Sequence, residues 1–83
     1  MKFQYRPKGV CSQKIDIEMD GNIIKDVKFY GGCNGNLKGI GALVKNMDAQ
    51  EVIKRCGGIR CGMKHTSCPD QLAEALKEYL VKK

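Results

Sequence analysis

The sequence contains no tryptophan, a single histidine (His65) and only two prolines in 83 residues. Its five aromatic residues, Phe3, Tyr5, Phe29, Tyr30 and Tyr79, lack the basic interleaving of a platform on which bases stack. No apolar run approaches the roughly 18 residues that a membrane-spanning helix needs. The opening residues, Met1-Lys2-Phe3-Gln4-Tyr5-Arg6-Pro7-Lys8, have no apolar stretch of the kind that marks a secretory signal. A cytoplasmic chain with no membrane partner is therefore expected, and in that compartment thiols stay reduced. No Ser-His-Asp set is legible, a Cys-His pair would rest on His65 alone, and no phosphate-loop or dinucleotide fingerprint occurs.

Against these absences stand five cysteines, an odd number that leaves one outside any disulfide set. A chain this short buries only roughly 60–65% of its unfolded surface, and small domains commonly add a disulfide or metal staple. In a reduced compartment the cysteines point to metal or redox chemistry. The charge balance is basic, 15 Lys and Arg against 9 Asp and Glu, which favours anionic partners. The lysines are scattered, with no run longer than Lys82-Lys83, a pattern that argues for solubility and against nucleic acid.

The chain reads as one domain, 1–83. Phe3 and Tyr5 alternate with polar neighbours, giving a short first strand closed by Pro7 and Gly9. Ile15, Ile17 and Met19 alternate with charged residues, which predicts a half-buried strand over 10–19. Asp20-Gly21 predicts a two-residue type I′ hairpin, followed by a return strand over 22–30. The period then changes to 3.6: Leu37, Ile40, Val44 and Met47 form one helical stripe, with Leu43 beside it. Gly39 and Gly41 inside that helix are explained by close packing on the sheet. Asp48-Ala49-Gln50-Glu51 is a capping-box variant opening a second helix, which Gly57-Gly58 stops. Ser67-Cys68-Pro69-Asp70 opens a third, whose apolar face is Leu72, Ala75, Leu76, Tyr79 and Leu80. Strands first and helices afterwards make an α+β fold: a three-stranded antiparallel meander with three helices on one face.

Four cysteines fall near element ends or in loops. Cys11 starts the second strand, Cys33 sits in the loop Gly31-Gly32-Cys33-Asn34-Gly35-Asn36, Cys61 follows the Gly57-Gly58 break, and Cys68 opens the third helix. Backbone amides and helix dipoles at such places favour thiolate, the form that binds metal. Their spacing matches no compact Cys-x2-Cys motif. Cys56 differs: it lies with Val52 and Ile53 on the apolar face of the second helix and reads as a core residue. His65 is a candidate extra ligand or proton carrier, though an exposed loop histidine is its plainer reading. Asp70 reads first as a partner of the helix dipole and second as an oxygen ligand. The glycine-rich loop around Cys33 can present that cysteine to a metal or present amides to a phosphate.

Thr66-Ser67-Cys68-Pro69-Asp70 spells the signature of the TSCPD domain family. The resemblance extends to Gly32-Cys33-Asn34-Gly35-Asn36, Gly39-Ile40, Leu43-Val44, Gly58-Ile59-Arg60-Cys61 and Gln71-Leu72. Domains of this family occur as small stand-alone proteins and at the C-terminal end of B12-dependent ribonucleotide reductases. The resemblance thus implies an accessory or partner role in deoxynucleotide synthesis. The label ribonucleoside-diphosphate reductase, common for such small proteins, does not fit this chain alone, since 83 residues cannot build the catalytic barrel. A more distant resemblance is to IscU/NifU-type iron–sulfur scaffold domains. Val10-Cys11, Val27 to Cys33, and Ser67 to Leu76 resemble the scaffold's three ligand segments, which implies that Cys11, Cys33 and Cys68 share one end of the sheet. Two departures stand out. Cys11 is followed by Ser12-Gln13 where scaffolds have Gly-Asp, and Gly57-Gly58-Ile59-Arg60 replaces their chaperone-binding segment.

The leading expectation is a metal-binding accessory domain in which Cys11, Cys33, Cys61 and Cys68 hold Zn²⁺ or an Fe–S cluster, zinc favoured. A second is a thiol redox partner of a ribonucleotide reductase exchanging through Cys61 and Cys68. A third is nucleotide or RNA binding through the basic surface and the 31–36 loop.

Overall fold

The structure is a computed structural model that describes residues 1–10, 12–32, 34–60, 62–63 and 65–82. Three strands, β1 (Lys2–Tyr5), β2 (Ser12–Asp20) and β3 (Ile23–Gly31), precede three helices, α1 (Asn34–Val44), α2 (Ala49–Cys56) and α3 (Cys68–Lys82). The strands form one antiparallel sheet in the order β1-β2-β3. This is the expected α+β architecture.

Alternation along β2 sends Ile15, Ile17 and Met19 to one face, where they are buried with Ile24 and Val27 of β3. The helices cover that face. Val44 of α1, Val52 of α2 and Leu72, Ala75, Leu76 and Tyr79 of α3 complete the core. Phe3 stacks on Tyr79, with ring centroids 5.2 Å apart. The opposite face carries Lys14, Asp16, Glu18, Asp26, Lys28 and Tyr30, with Lys14 and Lys28 both lying over the Tyr30 ring. Cys56 packs against the core, as its position on α2 implies, and burial pushes its thiol pKa up.

Three local expectations are corrected. The hairpin turn is Gly21-Asn22, because Asp20 pairs with Ile23 inside the ladder. Only Gly21 has positive φ (61°), the pattern of a type II′ turn rather than the type I′ turn expected at Asp20-Gly21. Second, α1 ends at Val44, and Asn46 adopts a left-handed conformation (φ 68°) that turns the chain back. Met47 therefore leaves the helical stripe, and Leu43 is 77% exposed. Third, only half of the capping box at α2 forms. The Asp48 carboxylate accepts from the Gln50 amide at 2.8 Å, while Glu51 turns away to pair with Arg55.

The reversal at Asn46 has a use. Residues 46–49 run along the outer edge of β3, where the Asn46 amide donates to the Ile24 carbonyl, the Ile24 amide to Met47, and the Ala49 amide to Asn22. Farther along β3, α1 comes down onto the strand at Gly41. A methyl group there would lie 2.6 Å from the Val27 carbonyl oxygen, so the close packing expected of this glycine is real. Nothing crowds Gly39 in the same way.

Candidate functional site

Both α1 and α3 begin at the end of the sheet where β2 starts and β3 finishes, opposite the hairpin. The residues of the Thr66–Gln71 signature form a hydrogen-bonded hub there. Ser67 caps α3: its hydroxyl accepts from the Asp70 amide at 3.1 Å, and its carbonyl accepts from the Gln71 amide at 2.8 Å. The same hydroxyl donates to the Ile59 carbonyl at 2.6 Å. Asp70 accepts the Thr66 hydroxyl on one oxygen (2.5 Å) and the Gly58 amide on the other (2.7 Å). These two bonds, the Thr66 one first, hold its carboxyl below the usual aspartate range. With both oxygens engaged, Asp70 serves as a fastener, and its role at the helix N-terminus fits the dipole reading.

Gln71 is nearly buried and works in two directions. Its amide nitrogen donates to Thr66 Oγ1 at 3.0 Å. Its carbonyl oxygen accepts the Lys8 amide at 3.0 Å and the Tyr5 hydroxyl at 3.5 Å. The hub therefore ties two separate chain segments, 5–8 and 58–59, to the first turn of α3. Ser67-Cys68-Pro69-Asp70 opens this helix as expected, while the fastening bonds of Thr66, Ser67 and Gln71 to other segments go beyond that expectation. A serine three residues before an acidic residue is a capping signal that was present for Ser67.

Cys68 occupies the first position of α3 and is half-buried. Its sulfur lies 3.1 Å from the hydroxyl of Ser12. Ser12 pairs in the sheet with Gly31, and Gly31 and Gly32 both have positive φ (82° and 76°). Glycine tolerates that backbone, which carries the chain away from β3 toward α1. The other three candidate ligands, Cys11, Cys33 and Cys61, lie outside the described residues. Among the described residues no group of three or more His, Cys, Asp or Glu side chains is arranged to hold a metal. His65 is exposed. No helix of the described residues is long and apolar enough to cross a membrane.

What the structure does place are the chain neighbours of those cysteines. Ser12 follows Cys11, Gly31 and Gly32 lead to Cys33, and Ile59 and Arg60 lead to Cys61. Ser12 touches Cys68, Gly31 pairs with Ser12, and Ile59 is bonded to Ser67 beside Cys68. Ser12 and Ile59 thus both reach the start of α3, and Gly31 lies beside Ser12.

No curated protein and no solved structure matches the chain. A family model, described as the TSCPD domain, matches residues 2–80. The signature that builds the hub is the one after which that family is called, and the chain belongs to the TSCPD domain family.

Proposed function

We propose that this chain is a metal-binding accessory protein whose Cys11, Cys33, Cys61 and Cys68 bind one ion through four thiolates, with Zn²⁺ ahead of an Fe–S cluster. The observation that carries this reading is the approach of Ser12 and Ile59 to the start of α3, where Cys68 sits, with Gly31 beside Ser12. Four sulfurs complete a tetrahedral zinc site and leave no position open for substrate, so the metal would be structural. The N-termini of α1 and α3 lie at this end and add positive potential there. The hub fits a supporting role as well. Ser67 donates to one flanking segment, Asp70 and Gln71 accept from flanking amides, and Thr66 braces both acceptors, all without using Cys68 itself.

Ribonucleotide reductase is the partner this reading names, on the strength of the resemblance to the C-terminal domains of the B12-dependent enzymes. In that setting the chain acts beside the catalytic subunit.

The test is metal and acid-labile sulfide content of protein purified anaerobically without a tag, alongside Cys11→Ser, Cys33→Ser, Cys61→Ser and Cys68→Ser. The expected result is about one zinc per chain, lost or sharply reduced in each variant. Excess chelator should then abolish the cooperative thermal transition, since metal binding contributes folding free energy. Iron with sulfide would move the reading to a cluster site. A metal-free wild type would end it and turn attention to Cys61 and Cys68 as an exchanging thiol pair.

A further inference from the structure

The alternation of β2 puts odd-numbered residues, Ile15, Ile17 and Met19, on the buried face and even-numbered ones on the open face. Ser12 breaks this rule. It is even-numbered, yet it is only 3% exposed. The cause is a bulge: Ser12 pairs with Gly31 and Lys14 with Tyr30, so Gln13 is an extra residue with no partner of its own. A bulge gives up ladder pairing and re-aims a side chain. Here it turns the Ser12 hydroxyl inward, 3.1 Å from the sulfur of Cys68. The same position is where the sequence departs from the iron–sulfur scaffolds, having Ser12-Gln13 after its first cysteine.

We propose that Ser12 is the positioning residue for Cys68, donating its hydroxyl proton to the sulfur from outside the ligand set. The inference rests on the metal reading above. A metal-bound cysteine is a thiolate, which has lone pairs and no proton to give, so the serine must be the donor. A bond of this kind fixes the side-chain rotamer of the ligand and spreads its negative charge, which sets both how tightly the metal is held and how strongly the sulfur donates to it. Because Ser12 adjoins Cys11 in the chain and bonds to Cys68, one residue couples two of the four proposed ligands. Gly31, its partner in the sheet, has a positive φ (82°) that suits a glycine.

The experiment compares wild type with Ser12→Ala and Ser12→Thr in the full chain. Zinc affinity is read by competition with a chromophoric chelator, and the sulfur-to-metal charge-transfer band is read after cobalt substitution. Ser12→Ala should lower zinc affinity about 10–100-fold, the usual loss for an outer-shell hydrogen bond, and shift the cobalt band. Ser12→Thr, which keeps the hydroxyl, should restore most of both. A merely structural serine would change the thermal transition and leave the cobalt band in place. Wild-type metal binding with an unchanged Ser12→Ala affinity and band overturns this inference and spares the metal site. Absence of metal from the wild type overturns both.

Discussion

At the hairpin end of the sheet the chain closes on itself mainly through backbone groups and apolar packing, with one side-chain hydroxyl added. Residues 46–49 pair with the edge of β3, the Tyr79 hydroxyl donates to the Gly21 carbonyl at 3.0 Å, and Ile24 and Met19 are fully enclosed. Many sequences could satisfy such demands, because backbone amides are supplied by every residue and apolar volume is interchangeable within limits. The opposite end is held by side chains. Thr66, Ser67, Asp70 and Gln71 each bond to another chain segment or to a neighbour that does, and Ser12 reaches Cys68. Few substitutions preserve a network of that kind, since each bond needs a particular donor or acceptor at a particular place. The signature end thus depends on particular polar side chains more than the hairpin end does.

Three perturbations sharpen this contrast. The largest effect is expected from Ile24→Ala at the hairpin end, which removes a wholly buried side chain. It should cost about 2–5 kcal/mol of stability in urea titrations. Metal stoichiometry in the fraction that remains folded should not change. Loss of metal from folded Ile24→Ala would dissolve the distinction between the two ends.

Ser67→Ala should cost less, about 1 kcal/mol for the lost cap, measured in the same titration. Its signature would be a metal affinity that falls although Ser67 is no ligand, because the Ile59 carbonyl and the first turn of α3 lose their common tether. A variant that keeps full affinity would show that the hub serves folding only.

The smallest effect concerns acid. The Asp70 carboxyl is held below its ordinary value of 3.8 by the Thr66 hydroxyl and the Gly58 amide. Its folded pKa is therefore lower than its unfolded one. The stability it contributes is complete above that ordinary value and is lost as pH falls through the lower folded value. Wild type should exceed Asp70→Asn in stability near neutral pH, by a margin kept small by the solvent around this carboxyl. The margin should shrink on acidification below about pH 4, read as converging thermal midpoints. A margin independent of pH would mean that the charge of Asp70 contributes nothing.

Much of this fold is legible in the residues. The alternation of Ile15, Ile17 and Met19, the glycine after Asp20, Asp48 as a cap and the apolar face from Leu72 to Leu80 each announce an element, because the rule they obey is local. The errors arise where one residue overrides a period. Asn46 turns the chain and removes Met47 from a stripe whose spacing it otherwise fits. Gly21 takes the first turn position, so the hairpin shifts by one residue. At the site, Cys68 and the dipole role of Asp70 could be read from helix-start chemistry. The inward direction of Ser12 could not, since strand alternation assigns it to the opposite face and only pairing with Gly31 reveals the bulge. The reach of Gln71 to Lys8, 63 positions away, is likewise a tertiary fact with no local trace.

The contact between Gly41 and Val27 has a mechanical consequence. Helix α1 starts at Asn34, just after the Gly31-Gly32 turn, and touches the β3 backbone seven residues later. At 1.5 Å of rise per residue, that contact lies about 10 Å from the helix start. Gly41 is thus a fulcrum. A side chain there would lift α1 from the sheet and swing its first turn, and with it the loop that leads in from Gly32, through an arc set by that lever arm. The placing of the first turn of α1 is in this way fixed by a glycine about two helical turns away from it.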